Sequence, residues 1–404
     1  MLYKPLKTYM ILVSHPSHHA ATEWAPAMTD GTGVLPGLPA VCGKPVHVAA
    51  DGGRLTSDAG VLLLAEVERH LGIAERLAAC IEDPRDPAAV RHSIAEMIRF
   101  RALLIAAGYA DANDCDALRH DPAFKMAVGR LPESGGELCS QPTMSRLENL
   151  PGPMALKRMM AAMVDLFCDS FTQVPERIVL DIDDTEDTVH GGQQLALFNA
   201  HYDSHCFLPI HIYEATTGKP VAIFLRPGKT PDGIEVATVL RHVIRHLRAR
   251  WPRVAILIRG DSHYGRIEAG PQGADSRFII TNLAGAPQHL YEEVYCARGQ
   301  AENLIKAHKL HLASDRTSCS RATANQFRLL VHTAAYWLMH TLRGLTPKLS
   351  FWRLAQFDTF RFGLIKVAAR VVELATRIKV SLPSAFPYQT TWGLLTDHVP
   401  KLPP

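Results

Sequence analysis

The sequence predicts an α/β protein, a mixed five-stranded sheet with helices, preceded by an all-helical region. Three observations predict it. Residues 54–170 carry apolar residues at helical spacing only. At Pro175 the pattern changes to short β-branched runs of strand length. From there strands and helices alternate in the order βββαββα.

Residues 1–50 are rich in Pro, Gly and His and lack periodicity, so they read as a flexible lead-in. Met28 is an alternative start. The apolar stretch Tyr9–Val13 is too short for a signal core. In the helical region 54–170, Ser57 or Asp58 is expected to cap a helix over Val61–Leu71. Asp86-Pro87 opens another that runs to about Gly108. Gln141-Pro142-Thr143 starts a short helix to Asn149, and a last helix runs from about Met154 to Phe167.

The second region spans 175–345. Arg177–Ile182 reads as a strand that ends in acids. Leu208–Tyr213 and Pro220–Leu225 form a hairpin around Thr217-Gly218-Lys219. Val236, Leu240, Val243 and Leu247 line one face of a helix that Pro252 stops. Val254–Ile258 is wholly apolar, as a buried parallel strand would be. Phe278–Thr281 is the fifth strand, and an apolar helix covers Phe327–Leu342. This is the order of an RNase H-like sheet, with the helix between the fourth and fifth strands missing. Region 346–404 is read as a basic helix, Arg353–Lys379, and a Pro-containing coil from Pro383.

A chain of 404 residues with 47% hydrophobic and 21% charged residues suits a large globular core. It has no apolar run long enough for a membrane. Its eight cysteines form no C-x-x-C pair, which argues against zinc and fits reduced thiols in a cytoplasm. Net charge is only +3, but cations cluster at Arg241, Arg245, Arg248, Arg250 and Arg253, and again at Lys306, Lys309, Arg316, Arg321 and Arg328. Such patches suit a polyanion, although the first cluster reads rather as a solvated helix face.

Three acidic points carry the chemistry. The first strand ends Leu180-Asp181-Ile182-Asp183-Asp184-Thr185, with Asp181 and Asp183 on one side by the strand's period of two. The fourth ends Arg259-Gly260-Asp261-Ser262. The third acid, Glu302, lies on a predicted helix. There Tyr295, Arg298, Glu302 and Lys309, at positions 0, 3, 7 and 14, share a stripe roughly 60° wide. Val294, Ala297, Ala301, Leu304 and Ile305 form the adjoining apolar stripe. In open α/β sheets ligands gather at the carboxyl ends of strands. Carboxylates meeting there need hard cations, Mg²⁺ or Mn²⁺, and two such ions activate a nucleophile and stabilise the leaving oxygen of a phosphodiester. Thr143 and Arg146 lie at the start of the short helix, whose N-terminus suits a phosphate. His190-Gly-Gly-Gln-Gln194 reads as a polar loop or as a DNA contact.

These residues resemble bacterial insertion-sequence transposases of the Asp-Asp-Glu, RNase H-like superfamily, in the branch with a Tyr-Arg-Glu-Lys signature. Within it the chain is similar to the family called insertion sequence thirteen-eighty. The stretches LTSDAGVLLL, LRHDPAFKMAVGR, SQPTMSRLEN, LDIDDT, HGGQQLALFNAHYD, LRPGKT, RGDSHYG, YCARGQAENLIKAHK and DRTSCSRATANQFRLL carry the resemblance. It implies that Asp183, Asp261 and Glu302 bind two Mg²⁺ or Mn²⁺ ions, with Asp181 open as the first acid instead of Asp183. Tyr295, Arg298 and Lys309 would hold phosphates of the transposon end. The implied partners are double-stranded DNA, as terminal inverted repeats and target, and a second copy of the chain on that DNA. The implied place is the bacterial cytoplasm, at the nucleoid.

One departure stands out. The family carries a long, strand-rich insertion between the second Asp and the Glu, with a tryptophan that holds a flipped base. Here Asp261 and Glu302 are 41 positions apart with no Trp between them, and the insertion is reduced to about 266–277. The chain therefore resembles an internal-deletion derivative, and a decayed transposase that only binds DNA is one alternative. The other is a phosphatase of the haloacid dehalogenase fold, because Asp181-x-Asp183-x-Thr185 also fits its signature, with Asp181 as nucleophile. That fold wants a further acid soon after Gly260-Asp261-Ser262, where His263, Tyr264 and Gly265 stand.

Overall fold

A computed structural model describes residues 39–46, 48, 51–229, 233–260 and 281–399. Met1–Gly52 forms one unit, in which Val41 and Lys44 close a tight turn. Gly53–Pro404 forms a second, compact unit. The expected boundaries near 170 and 345 fall inside it. Among the described residues a large apolar core runs through it from Val61 to Val399, and a small second one gathers around Ala59, Val367 and Ala369.

The unit begins with a strand, β1 (Leu55–Thr56), so residues 54–170 are not helical throughout. Helix α1 (Val61–Leu71) has the expected bounds but a different cap. Its N-cap is Gly60, because a Cβ there would sit 2.2 Å from the Leu364 carbonyl oxygen. Asp58 is instead buried and paired with Lys366 at 2.8 Å. Helix α2 (Ile73–Ala78) follows. The helix expected from Asp86 to Gly108 is two elements, a 3₁₀ turn at Pro87–Ala89 capped by Asp86 and α3 (Ile94–Ala106) capped by Ser93. The Ser93 hydroxyl accepts the Glu96 N–H and so restarts the helix. Next come α4 (Asp114–Leu118), α5 (Pro122–Ala127), α6 (Gln141–Glu148) and α7 (Pro153–Asp169).

The main sheet is built from β2 (Arg177–Asp184), β6 (Ile210–Glu214), β7 (Lys219–Phe224) and β8 (Ala255–Gly260), in the order β7-β6-β2-β8. β2–β6 and β6–β7 are antiparallel, and β2–β8 is parallel. Between β2 and β6 lies a small sheet the sequence did not suggest, formed by β3 (Asp187–Thr188), β4 (Leu197–Asn199) and β5 (Ser204–Phe207). Its strands are too short to show a period. Helix α8 (Gly233–Arg250) leads into β8 and buries Val236, Val243 and Leu247. β8 is not the buried strand that its apolar sequence suggests. It is an edge among the described strands, and Ile258 is 36% exposed. Residues 278–280 of the expected fifth strand, and the 266–277 segment, lie outside the described residues.

After α9 (Pro287–His289) the chain stays helical but irregular. A π-helical turn, Leu290–Tyr295, passes to a 3₁₀ turn, Cys296–Gly299, then to α10 (Gln300–Lys306) and a second π turn, Ala307–His311. Helix α11 (Ala322–Gly344) is buried almost all round and packs on α1, α3, α7 and β7, as a helix apolar on every side must. The expected basic helix Arg353–Lys379 is absent from the described residues. In its place are α12 (Phe351–Leu354), α13 (Phe357–Phe360), a π turn Arg361–Ile365, and the hairpin β9 (Ala369–Glu373) and β10 (Ile378–Ser381). β9 also pairs with β1, so a strand near the start of the unit secures the hairpin. The expected C-terminal coil contains α14 (Gln389–His398), which seats Leu395 in the core.

Candidate functional site

The site forms at the carboxyl end of β2. Its parallel register with β8 sets Asp181 against Arg259 and Ile182 against Gly260. Asp183 is therefore the next β2 residue beyond the last described pair. Asp261 follows Gly260 in the chain and lies outside the described residues.

Asp181 and Asp183 differ sharply. Asp181 has no exposed surface and accepts two hydrogen bonds from Arg259, Nε to Oδ1 at 2.6 Å and Nη2 to Oδ2 at 2.7 Å. Arg259 also donates to the Val294 carbonyl at 3.0 Å and the Ala297 carbonyl at 3.4 Å. This fork ties the end of the sheet to the irregular helical segment above it. Asp183 keeps 13% of its side chain exposed and is paired with Arg298 at 2.8 Å. The Asp184 N–H donates to its other oxygen at 3.1 Å.

The four residues of the predicted stripe are distributed differently from an ideal helix, because π turns contain more residues per turn than an α-helix. Arg298 points to Asp183. Lys309 donates to the Glu186 carbonyl, lies 3.5 Å from the Thr185 hydroxyl, and is 4.0 Å from Asp187. Tyr295 stacks on Tyr291 with ring centroids 6.0 Å apart. Glu302 is exposed, and its side chain makes no hydrogen bond or ion pair with a described residue. Ala301 and Ile305 seat α10 on β2 and β6, but Ala297 is exposed, so the apolar stripe is also shifted.

Sequence reasoning missed three features beneath the site. Arg259 was legible only as the neighbour of Asp261, because its partner depends on register. Asp187 is buried with neither carboxylate oxygen hydrogen-bonded among the described residues, and burial pushes its pKa well above the usual range against the pull of Lys309. His211 faces Asp183 across the β2–β6 register and stacks edge-on against buried His308 at 5.4 Å. Burial pushes the His211 pKa down to about 3.

The polar loop 190–194 is structural in its described contacts. Gln193 donates to the Thr317 carbonyl at 2.7 Å and accepts from Asn325 at 2.9 Å, which holds the loop to the start of α11. Thr143 and Arg146 are on α6, which packs on α3, α4 and α11. Its first turn offers a phosphate no open main-chain donor: the Gln141 N–H goes to Asp116, Pro142 has none, and the Thr143 N–H goes to the Ser140 carbonyl. Of the cation clusters, Arg328 is buried beside Glu148, and Arg250 is paired with Asp165 and Asp169.

The family model described as Transposase DDE domain group 1 matches residues 38–269 and, as a second segment, 265–404. The chain belongs to that family. No curated protein matches it. The transposase assignment leaves no place for the phosphatase reading, and the geometry agrees, since the proposed nucleophile Asp181 is buried with both oxygens held by Arg259. Among the described residues of this transposase, no helix is long and apolar enough to cross a membrane. No three His, Cys, Asp or Glu side chains among them are grouped to hold a metal ion.

Proposed function

We propose that this transposase has an RNase H-like core of the insertion sequence thirteen-eighty type. It would bind the terminal inverted repeats of its own element and cut and join DNA with divalent metal. The observation that carries the reading is the parallel β2–β8 register. It brings the Asp183 strand end beside the strand that runs into Asp261. The order β7-β6-β2-β8 supports it, being that of the first four strands of an RNase H-like sheet.

Asp183, Asp261 and Glu302 are the proposed metal holders. Their hard oxygen donors fit Mg²⁺ or Mn²⁺. The half-buried Asp183 is balanced by the Arg298 guanidinium, so this carboxylate needs a cationic partner. Asp181 does not fit as a ligand, because Arg259 occupies both its oxygens. When bound, two ions would activate the attacking oxygen and stabilise the leaving one. Arg298 would then exchange Asp183 for a phosphate of the transposon end, with Tyr295 beside it. Lys309 braces the loop that follows β2, which orients Asp183. Two copies of the chain would act on paired ends.

The family match divides at 265–269, where the sequence passes from HYGR to IEAGPQG. This supports the internal-deletion reading, with end binding retained and coordinated cleavage weakened. A flipped base needs an aromatic or apolar pocket to offset unstacking. The test is cleavage and strand transfer on a plasmid carrying the element's own terminal repeats, with Mg²⁺. Asp183→Asn, Asp261→Asn and Glu302→Gln should each remove nicking while the fold is kept. Full nicking in all three would sink the proposal. Efficient excision by the 404-residue chain alone would overturn the deletion reading.

A further inference from the structure

A polar cavity opens among the N-terminal helices, in a different part of the fold from Asp183. Its volume is about 290 Å³, and it is lined by Arg85, Arg91, His92, Arg119, Ser140 and Thr143. No carboxylate is among its lining residues. Three separate parts of the chain contribute: the segment before α3, the end of α4 and the start of α6.

The walls are held from behind. Arg85 grips Asp83 with two hydrogen bonds of 2.7 and 2.6 Å and donates to the His92 carbonyl at 3.1 Å. Arg119 pairs with Glu137, and His92 with Glu96 at 2.9 Å. Arg130 donates to the Arg91 carbonyl at 3.1 Å, which fixes the main chain there. The donors that remain are the informative ones. The exposed Arg91 side chain makes no hydrogen bond or ion pair with a described residue. The Nε of Arg119 is buried with no acceptor among them, a state that ordinarily calls for a partner. The Ser140 hydroxyl does not cap α6 and lies 3.3 Å from the Thr143 hydroxyl, so the pair can direct a proton outward. Arg146, exposed on the same side of α6 one turn on, extends the positive surface.

We propose that this cavity takes one backbone phosphate of duplex DNA, with Arg91 and Arg119 as charge donors and Ser140 and Thr143 as hydroxyl donors. The proposal rests on the proposed function, in which this transposase binds the terminal repeats as duplex DNA, and specifies where one contact is made. A cavity of this size holds a phosphate and part of a sugar rather than a stacked base. It would therefore set position and not sequence. The main-chain groups of α6 take no part, since Asp116 and Ser140 already satisfy them.

The test is fluorescence anisotropy of a labelled mixed-sequence duplex bound by the full chain, across a salt titration. Arg91→Ala should lower affinity about tenfold at low salt and reduce the log–log salt slope by about 0.9, the value of one released phosphate contact. Thr143→Val should weaken binding with the slope unchanged. Both variants should keep the parent melting temperature, and a variant that unfolds is replaced by Arg91→Gln or Thr143→Ala. If the parent binds duplex with a steep slope and Arg91→Ala leaves affinity and slope alone, the cavity assignment falls and the DNA-binding reading stands. If the parent binds no duplex at any salt, both fall. Inorganic phosphate is the second probe. If Arg91→Ala weakens millimolar phosphate binding but leaves duplex binding unchanged, the ligand is a free anion and the DNA assignment is overturned.

Discussion

Two Arg–Asp pairs stand two residues apart on one strand. Asp181–Arg259 is a closed fork, with both oxygens filled, the carboxylate fully buried, and the arginine also bonded to two carbonyls of the overlying helical segment. Asp183–Arg298 keeps partial exposure on both sides and lies at the strand end. The first pair holds the segment that carries Arg298 and Glu302 over the sheet. The second is the kind of contact that a cation and a phosphate can divide between them. Identical residue types on the same side of a strand thus serve stability at one position and, on the proposed function, chemistry at the next.

The largest effect should come from opening the fork. Arg259→Ala leaves a buried carboxylate without its partner and should cost about 3–5 kcal/mol of stability. Asp183→Asn should cost about 1 kcal/mol or less, in line with a partly exposed pair. Urea denaturation measures both, and equal losses would erase the contrast. Next in size is activity. Asp183→Asn and Glu302→Gln should lower metal-dependent nicking about a hundredfold or more while the fold is kept. Nicking lost only in Asp181→Asn would move the chemistry to the other acid.

Acid presses on the layer beneath the strand. His211 has its pKa pushed down to about 3 by burial. It binds a proton in the unfolded chain below about 6.5 but not in the folded one. Its contribution is therefore full above that pH and is lost as pH falls toward 3. His211→Phe should remove about 2 kcal/mol of the stability difference between pH 7 and pH 5. An unchanged acid profile would show that His211 is charged in the fold. The smallest effect concerns Arg298 itself. Without DNA, Arg298→Ala should strengthen Mn²⁺ binding about tenfold, because a competing cation leaves Asp183. Electron paramagnetic resonance of free Mn²⁺ reads this, and weaker binding would show that Arg298 supports the metal site instead.

Much of the fold was legible because local pattern carried it. Alternation and β-branching placed β2, β6 and β7. The apolar face of α8 and the continuous apolar run of α11 placed two long helices. Short elements were not legible. β1, β3, β4 and β5 have two to four residues each, too few for a period, and exist through their partners. The Val371-Val372 and Ile378-Lys379-Val380 runs were absorbed into an expected helix, although β-branching there favours strands.

In the candidate site, the acids, the basic residues and the shortened insertion near 266–277 came from the sequence, because chemical type and spacing are written in it directly. That Asp181 is a buried partner of Arg259 came from the register of two strands 78 residues apart. That Arg298 reaches β2 and Lys309 the segment just after it while Glu302 faces outward came from π and 3₁₀ turns, which a 100° wheel does not anticipate. The cavity around Arg91 joins three segments by packing alone. Sequence by itself determined which groups the protein has and what family they mark. Tertiary structure decided which of two like carboxylates is sealed and which stays available, because burial and pairing are properties of neighbours that the chain brings together only on folding.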